Sequence, residues 1–287
     1  MMKIKIAVPS KGRISEPSIN ILEKAGLGLQ VRESRKLVTK TFNEDINVLF
    51  ARASDIPEFV QDGIADMGIT GIDLIEESEA DVVQLLDLNF GKTNLVLAAP
   101  EDSNIRSVED IGPDMTVATE FPTLTRKYLE KNNLDLKIVK LCGSTEAAPF
   151  IGVSDLITDL TSTGTTLKMN HLEIVDTLLE SSIVLIANEE SLKEKKQLIE
   201  SVSTSIKGVM EASRKKLLMM NVKTEDLNSV KNVMPSMGGL TISDVLSDEE
   251  TVAAQAVIDE DEVFDLVNKL KNVGAKDILV VPIERII

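Results

Sequence analysis

From Ser154 to Asn170 the chain reads SDLITDLTSTGTTLKMN, and six consecutive positions, Thr161, Ser162, Thr163, Gly164, Thr165 and Thr166, hold five hydroxyls and one glycine. The apolar run before them, interrupted by Asp159, is suited to a buried strand. A strand that turns through hydroxyl residues into a helix can aim side-chain hydroxyls, successive N–H groups and the helix dipole at one point, which suits a phosphate dianion. Asp159, just before the turn, can accept from a ribose hydroxyl or hold a metal-bound water. The same residue types cap helices and fill turns without any ligand, so the stretch alone fits a phosphate cradle and a polar turn equally well. A second candidate is PSKGRI, where Lys11 and Arg13 flank Gly12 after the first apolar run. Two cations at the carboxyl end of a strand can serve a polyphosphate, or they can be solvated charges on a turn.

Composition limits what these groups can be for. The 287 residues suggest about two domains. Formal net charge is −16, from 47 acidic and 31 basic residues, and aromatic residues make up 3% with no Trp. Such a field repels phosphate backbones and leaves few rings for base stacking, which argues against a nucleic-acid partner. A polyanion bound here needs local N–H groups, a few placed bases and a divalent cation. The single cysteine, Cys142, has no partner for an intramolecular disulfide, and with one histidine, His171, there is no zinc-type cluster. The opening MMKIKIAVPS enters a strand pattern without the apolar core of a secretory signal, and no apolar run approaches the roughly 20 residues of a membrane span. The expectation is a soluble, cytoplasmic protein with no membrane partner.

The elements that must carry these residues follow from periodicity. KIKIAVP alternates as a strand, and the helix after it places Ile19, Leu22 and Ala25 on one face with Gly26 at its end. Strands are expected at residues 46–51, 67–70, 95–99, 116–119, 137–141 and 183–187, with helices from Asp55 to about Asp62 and from Ile72. Strands alternating with helices predict largely parallel sheets. GIADMGITGIDLIEE and GVSDLITDLTSTGTTL share a glycine, an aliphatic, a small residue, an aspartate and a Gly/Thr turn, which predicts two similar α/β lobes with a cleft between them. One helix is expected from Asn188 to about Leu217, with Lys193, Lys195 and Lys196 on its polar face. RKKLLMMNV, a helix capped by Thr224, two strands, a helix closed by Gly274 and DILVVPI give a βαββαβ order, that of a ferredoxin-like module. Cys142 is expected to fill core space at a strand end, His171 to be a surface or structural residue, and Met219, Met220, Met234 and Met237 to pack in a core or interface.

AVPSKGRI, DMGITGIDLIEE, ATEFPTLTRKYLE, GSTEAAPFIGVSDLITDLTSTGTTLKMN and the βαββαβ tail, in that order over nearly the whole chain, resemble ATP phosphoribosyltransferase of the long form, the first enzyme of histidine biosynthesis. The resemblance implies an α/β fold with two lobes of the bivalent solute-binding-protein type and a C-terminal ferredoxin-like regulatory domain. The corresponding boundaries are residues 1–94 with 186–211 for the first lobe, 95–185 for the second, with its phosphate loop at 159–167, and 212–287 for the regulatory domain. It further implies that N1 of ATP attacks C1 of phosphoribosyl pyrophosphate (PRPP), releasing pyrophosphate, with Mg²⁺ as cofactor.

By the same resemblance, Thr161 to Thr166 take the 5-phosphate of PRPP and Asp159 lies near the ribose hydroxyls. Lys11, Gly12 and Arg13 belong to the nucleotide site, Arg52 and Asp73 face the cleft, and Glu146 is a further candidate. Most phosphoribosyltransferases carry two adjacent acids before the phosphate loop; here Leu160 follows Asp159, a departure shared by this family. The Mg²⁺ ligands therefore stay open, with the ion expected mainly on substrate phosphates and Asp159 as the candidate protein ligand. The C-terminal module is implied to bind histidine as a feedback inhibitor and to promote a hexamer from dimers. Candidates there are Gly238, Gly239 and Thr241 in MGGLTISDV, with Asn221 and Gly274 near strand ends. Rival functions are a two-lobed small-molecule sensor without catalysis and a transferase using another base acceptor.

Overall fold

The computed structural model describes residues 3–30, 37–234, 239–246, 248 and 250–287. In chain order the first elements are β1 (Ile4–Pro9), α1 (Ser15–Lys24), β2 (Val38–Lys40), β3 (Ile46–Ala51), α2 (Ile56–Gln61), β4 (Met67–Gly71), α3 (Ile72–Ser78) and β5 (Val83–Asp87). There follow β6 (Thr93–Pro100), β7 (Thr116–Thr119), α4 (Pro122–Lys131), β8 (Lys137–Lys140), β9 (Leu156–Thr161), α5 (Thr165–Met169), β10 (Leu172–Ser181) and β11 (Ile183–Ala187). The remainder is α6 (Glu189–Glu194), α7 (Lys196–Ser213), β12 (Lys215–Lys223), α8 (Leu227–Val233), β13 (Thr241–Asp244), β14 (Thr251–Asp259), α9 (Val263–Asn272) and β15 (Lys276–Pro282). Contacts divide the chain into two compact units, one of the residues up to Asn20 with 27–203, the other of 21–26 with 204–287.

The first unit contains two sheets, ordered β2-β3-β1-β4-β11-β5 and β10-β6-β9-β7-β8. Each is mixed, not largely parallel as the strand–helix alternation suggests. β1 is parallel to β3 and β4, and β7 to β8 and β9, whereas β11 is antiparallel to β4 and β5, and β6 is antiparallel to β9 and β10. The cause is the chain's double crossing between sheets: it leaves the first sheet after β5 and re-enters after β10, with only Ser182 between β10 and β11. These sheets make two α/β lobes. β1, β4 and β11 are central strands covered on both faces, and β11 accordingly reads as a continuous apolar run, whereas β1 carries Lys5 and β4 Thr70; Ile4, Ile6, Ile69, Val184 and Leu185 are fully buried. In the second lobe Leu97, Val117 and Leu156 face one core, with Tyr128 and Leu129 of α4, while Ala98, Ala118 and Ile157 face another, with Leu167 of α5.

The helical segment after Asn188 is not continuous to Leu217. Asn188 does cap α6, its Oδ1 accepting from the Ser191 N–H at 2.8 Å. The helix then breaks at Lys195, whose Nζ donates to buried Asp66 at 2.6 Å, and α7 ends at Ser213 because Leu217 belongs to β12. Lys195 is therefore not on a solvated polar face. Asp66 also accepts from Ser191 Oγ and the Lys5 N–H, and these bonds, with the Lys195 charge, hold its carboxyl below the ordinary value although burial acts the other way.

The second unit holds the sheet β13-β14-β12-β15, antiparallel throughout, with α8 and α9 on one face. The βαββαβ order is thus the one expected of a ferredoxin-like module. Alternation assigns Leu218, Met220 and Val222 to the helix-covered face with Leu266 and Leu270, and leaves Leu217, Met219 and Asn221 on the other. Thr224 does not cap α8: its hydroxyl donates to the Glu250 carbonyl, and a short 3-10 turn, Thr224–Asp226, precedes the helix. Met220 and Met234 pack in or against this core, Met219 is 38% exposed, and Met237 lies outside the described residues.

The chain's last residues dock within this unit. The Ile286 N–H donates to the Gly208 carbonyl at 3.1 Å, and Arg285 Nη1 donates to the Ala25 carbonyl at 3.1 Å, satisfying an orphan acceptor at the end of α1. A Cβ on Gly208 would lie 2.5 Å from the Ile286 carbonyl oxygen. Gly208→Ala is expected to lower the melting temperature, because overpacking of about 1–3 kcal/mol outweighs the helix-propensity gain of about 1 kcal/mol. Removing Ile286 and Ile287 should reverse the sign of the alanine's effect, measured by thermal unfolding of the four variants.

Candidate active site

Parallel pairing of β1 with β3 brings their carboxyl ends together, Pro9 beside Ala51. The residues that follow, Lys11, Gly12 and Arg13 after β1 and Arg52 after β3, therefore meet at one sheet end. Lys11, Gly12, Arg13 and Arg52 are exposed. Gly12 has φ +89°, a left-handed conformation that glycine adopts without strain, and it lets Lys11 and Arg13 flank a tight turn. Neither Lys11, Arg13 nor Arg52 makes an ion pair among the described residues. Three cations at one sheet end, without an ion pair among the described residues and in a chain of net charge −16, are able to receive a polyanion.

Asp73, in the first turn of α3, has a different setting from these cations. It is 6% exposed, accepts a short hydrogen bond from Ser181 Oγ and receives back-support through its own N–H, which donates to that oxygen at 3.1 Å. Burial raises its pKa, opposed by the Ser181 bond. Asp73 thus ties the start of α3 to the crossing segment at the end of β10.

In the second lobe, β7, β8 and β9 are parallel, so Glu120 after β7, Glu146 in the segment after β8, and the Asp159 to Thr166 stretch that ends β9 and follows it come from carboxyl ends at one end of the sheet. The Thr161 hydroxyl accepts from the Gly164 N–H at 2.9 Å, which closes the turn, and Gly164 has φ +73°. Thr163 and Thr165 hydroxyls bond each other at 2.9 Å, while Ser162 and Thr166 are exposed with no side-chain hydrogen bond among the described residues. Leu167, buried against Ile157 and Ala118, anchors α5. Because α5 has only five residues, its dipole adds little; the loop's capacity for phosphate lies in its amides and hydroxyls.

Asp159 is half-buried, and burial first of all pushes its pKa up to about 6. The Leu160 N–H, donating at 2.7 Å, opposes this, and the charges of Glu146 and Glu120 add to it. Glu120 was not singled out from the sequence; the signal was its place directly after a parallel strand. Among the described residues no cluster of three or more His, Cys, Asp or Glu can enclose a metal. Asp159 with its acidic neighbours can still attract a divalent cation carried largely by phosphate oxygens and water, which is how Mg²⁺ is commonly held.

His171 and Cys142 are both exposed. His171 lies on the surface with Nδ1 3.2 Å from Glu101 Oε2. Cys142 is exposed, not packed in a core: β8 ends at Lys140, and the chain has already turned outward. The geometry of the two sheet ends suits the assembly of two anionic ligands.

In the C-terminal unit, the uncovered sheet face has a cavity of about 370 Å³ lined by Met219, Asn221, Ser243, Gln255, Asp277 and Leu279 among others. Asn221 Nδ2 donates to Asp277 Oδ2 at 3.0 Å. Asp277, missed in the sequence, is placed there by the pairing of β12 with β15. Thr241 is exposed on β13 opposite Gln255, and Gly239 has φ +90°. Gly274 lies at the end of α9, so close to Asp226 that a Cβ would stand 2.4 Å from Oδ2, a structural reason for glycine there. Gly238 lies outside the described residues.

Two family models match this chain: the one described as ATP phosphoribosyltransferase over residues 52–208, and the one for the C-terminal domain of the same family over residues 212–285. The chain belongs to the ATP phosphoribosyltransferase family. It is 59% identical over 286 residues to the ATP phosphoribosyltransferase of Methanothermobacter thermautotrophicus, covering 100% of both chains. It is 53% identical to that of Methanocaldococcus jannaschii, covering 99% of this chain and 100% of the relative. Among solved structures, a chain of the ATP phosphoribosyl transferase (HisG:HisZ) complex from Thermotoga maritima superposes with a TM-score of 0.66 at 32% identity, covering 72% of this chain and 98% of that one. Family membership and the observed sheets agree on two α/β lobes followed by a C-terminal domain.

Proposed function

We propose that the protein is an ATP phosphoribosyltransferase, joining ATP to PRPP with loss of pyrophosphate, the first step of histidine biosynthesis. The observation that carries this reading is the pairing, in a chain of this family, of an uncommitted cation trio at one sheet end with a hydroxyl loop and a carboxylate at the other. Neither end alone requires two substrates. Together they account for one polyanion on Lys11, Arg13 and Arg52, and a second whose phosphate lies in the loop and whose ribose hydroxyls donate to Asp159.

The lone pair of adenine N1 attacks C1 of PRPP as the bond from C1 to the pyrophosphate oxygen breaks; pyrophosphate leaves with that electron pair and C1 is inverted. The transition state is oxocarbenium-like, so the protein's work is to align N1 with C1 and to stabilise the leaving anion. The three cations hold ATP for that alignment. Asp159 is the carboxylate that would help to hold Mg²⁺, which when bound would supply neutralisation of the leaving pyrophosphate. The reading carries with it a cytoplasmic location, where ATP is supplied. Incubation with ATP, PRPP and Mg²⁺ is expected to release pyrophosphate in step with a new adenine-modified product. Absence of both products, or equal turnover with other nucleotides or free bases, would overturn the assignment.

The C-terminal unit is read as a regulatory module that receives histidine and promotes a hexamer assembled from dimers. Asn221 and Thr241 would meet the amino acid's carboxylate and amine, with Asp277 orienting the Asn221 amide. The double variant Asn221→Ala with Thr241→Val is expected to raise the histidine concentration for half-inhibition about tenfold or more, what one or two hydrogen bonds are worth. Its uninhibited turnover should stay within about twofold of the parent. An unchanged inhibition curve would place the effector elsewhere.

A further inference from the structure

The start of α4 lacks a cap of its own. Phe121 stands at the N-cap, where its side chain cannot accept a hydrogen bond, and Pro122 fills the first helical position. The next two N–H groups, those of Thr123 and Leu124, are the ones an N-cap side chain ordinarily satisfies. Here they donate to Oε1 and Oε2 of Glu77, each at 3.0 Å. Glu77 belongs to α3, in the other lobe. Leu74, one turn earlier on α3, packs against Phe121 and Leu124, and Glu79 pairs with Lys127 at 2.9 Å. The last pair is exposed on both sides and contributes little; the two part-buried bonds of Glu77 are the specific link.

From α4 the connection continues inward. Thr125 Oγ donates to Thr119 Oγ at 3.3 Å and stands 2.6 Å from Thr158 Oγ. A hydroxyl has one proton, so Thr158 is the donor to Thr125. Thr119 in turn accepts from the Phe121 N–H at 2.8 Å. All three threonines are fully buried in a largely apolar layer, where a hydroxyl chain fixes relative position because no water can replace a lost partner. Thr158 immediately precedes Asp159 on β9, and Thr119 immediately precedes Glu120.

We infer that Glu77 is a positioning residue for the transfer reaction. It supplies across the lobes the cap that α4 lacks, and through Thr125 and Thr158 it fixes the strand end bearing Asp159 and the phosphate loop relative to the cations of the first lobe. The inference rests on the proposed reaction, in which each lobe end holds one substrate. Its consequence is a rate effect: each half-site keeps its own contacts, while the alignment of N1 with C1 depends on the link. A misplacement of about 1 Å costs on the order of 10²-fold in rate.

The test is steady-state kinetics of the full-length protein and its Glu77→Ala, Glu77→Gln, Thr125→Val and Thr125→Ser variants, well below their melting temperatures. Glu77→Ala and Thr125→Val are expected to lose about tenfold or more in kcat, with both KM values within about threefold of the parent. Glu77→Gln, which keeps one good acceptor, and Thr125→Ser, which keeps the hydroxyl, should recover most of the rate. If Glu77→Ala does not fold, the Thr125 pair decides. Lowered melting temperature with kcat within twofold of the parent would overturn the inference and leave a purely structural cap. Parent turnover separates the two levels: an inactive parent refutes the reaction, whereas an active parent matched by these variants refutes only the positioning role.

Discussion

Asp159→Asn is expected to make the unliganded protein more stable and the enzyme worse. In the folded protein the carboxyl is raised from 3.8 to about 6, so folding favours its protonated form. Its favourable contribution is present at low pH and is lost as pH rises through about 6; above that, the ionised group opposes folding. Asparagine stays neutral throughout. The variant should therefore unfold about 2–4 °C higher than the parent at pH 8, what roughly 1 kcal/mol is worth at this chain length after allowing for partial exposure, and the gap should close below about pH 4. The kinetic effect has the opposite sign. Loss of a charged hydrogen bond to a ribose hydroxyl, at about 1.5–3 kcal/mol, should lower kcat/KM for PRPP by about ten- to 150-fold. In the parent, kcat/KM for PRPP should fall as pH drops through about 6, and in the variant that limb should vanish. A limb that persists in the variant assigns it to another group.

The second large effect concerns the loop. Thr163→Val with Thr166→Val keeps the shape and branching of both side chains and removes only the hydroxyls. Both residues are exposed, and their loss leaves the turn-closing bond from the Gly164 N–H to Thr161 intact, so the melting temperature should change by less than about 2 °C. The KM for PRPP is expected to rise about ten- to hundredfold and that for ATP less than about threefold. Equal rises in both would refute the assignment of the loop to the 5-phosphate. Thr161→Val is a contrasting case, because it opens the turn itself and should impair the loop through its shape.

Which features could be read from the sequence depended on whether the signal was local. β11, IVLIA, is buried on both faces and appears as an uninterrupted apolar run. β10 does not, because LEIVDTLLES lies at a sheet edge and carries two register shifts against β6, which destroy the two-residue alternation. The break at Lys195 was invisible for another reason: its cause is Asp66, 129 residues away. The antiparallel placement of β11 likewise follows from the crossing between lobes and not from any property of its own residues. At the site, the hydroxyl run and the Lys-Gly-Arg turn announced themselves by type and spacing. The effect of Glu120 and Glu146 on Asp159 did not, since it exists only once β7, β8 and β9 are in parallel register. The capping of α4 by Glu77 has no local signal beyond the absence of a cap at Phe121.

The most direct measurement follows the reacting carbon. PRPP labelled with ¹³C at C1 is incubated with the protein, ATP and Mg²⁺, and the product is examined by NMR. The account predicts that the label moves from a carbon bonded to a pyrophosphate oxygen to one bonded to adenine N1, with inverted configuration and one pyrophosphate released per bond formed. Label that stays in PRPP, appears in ribose 5-phosphate, or bonds another atom of the nucleotide would contradict it.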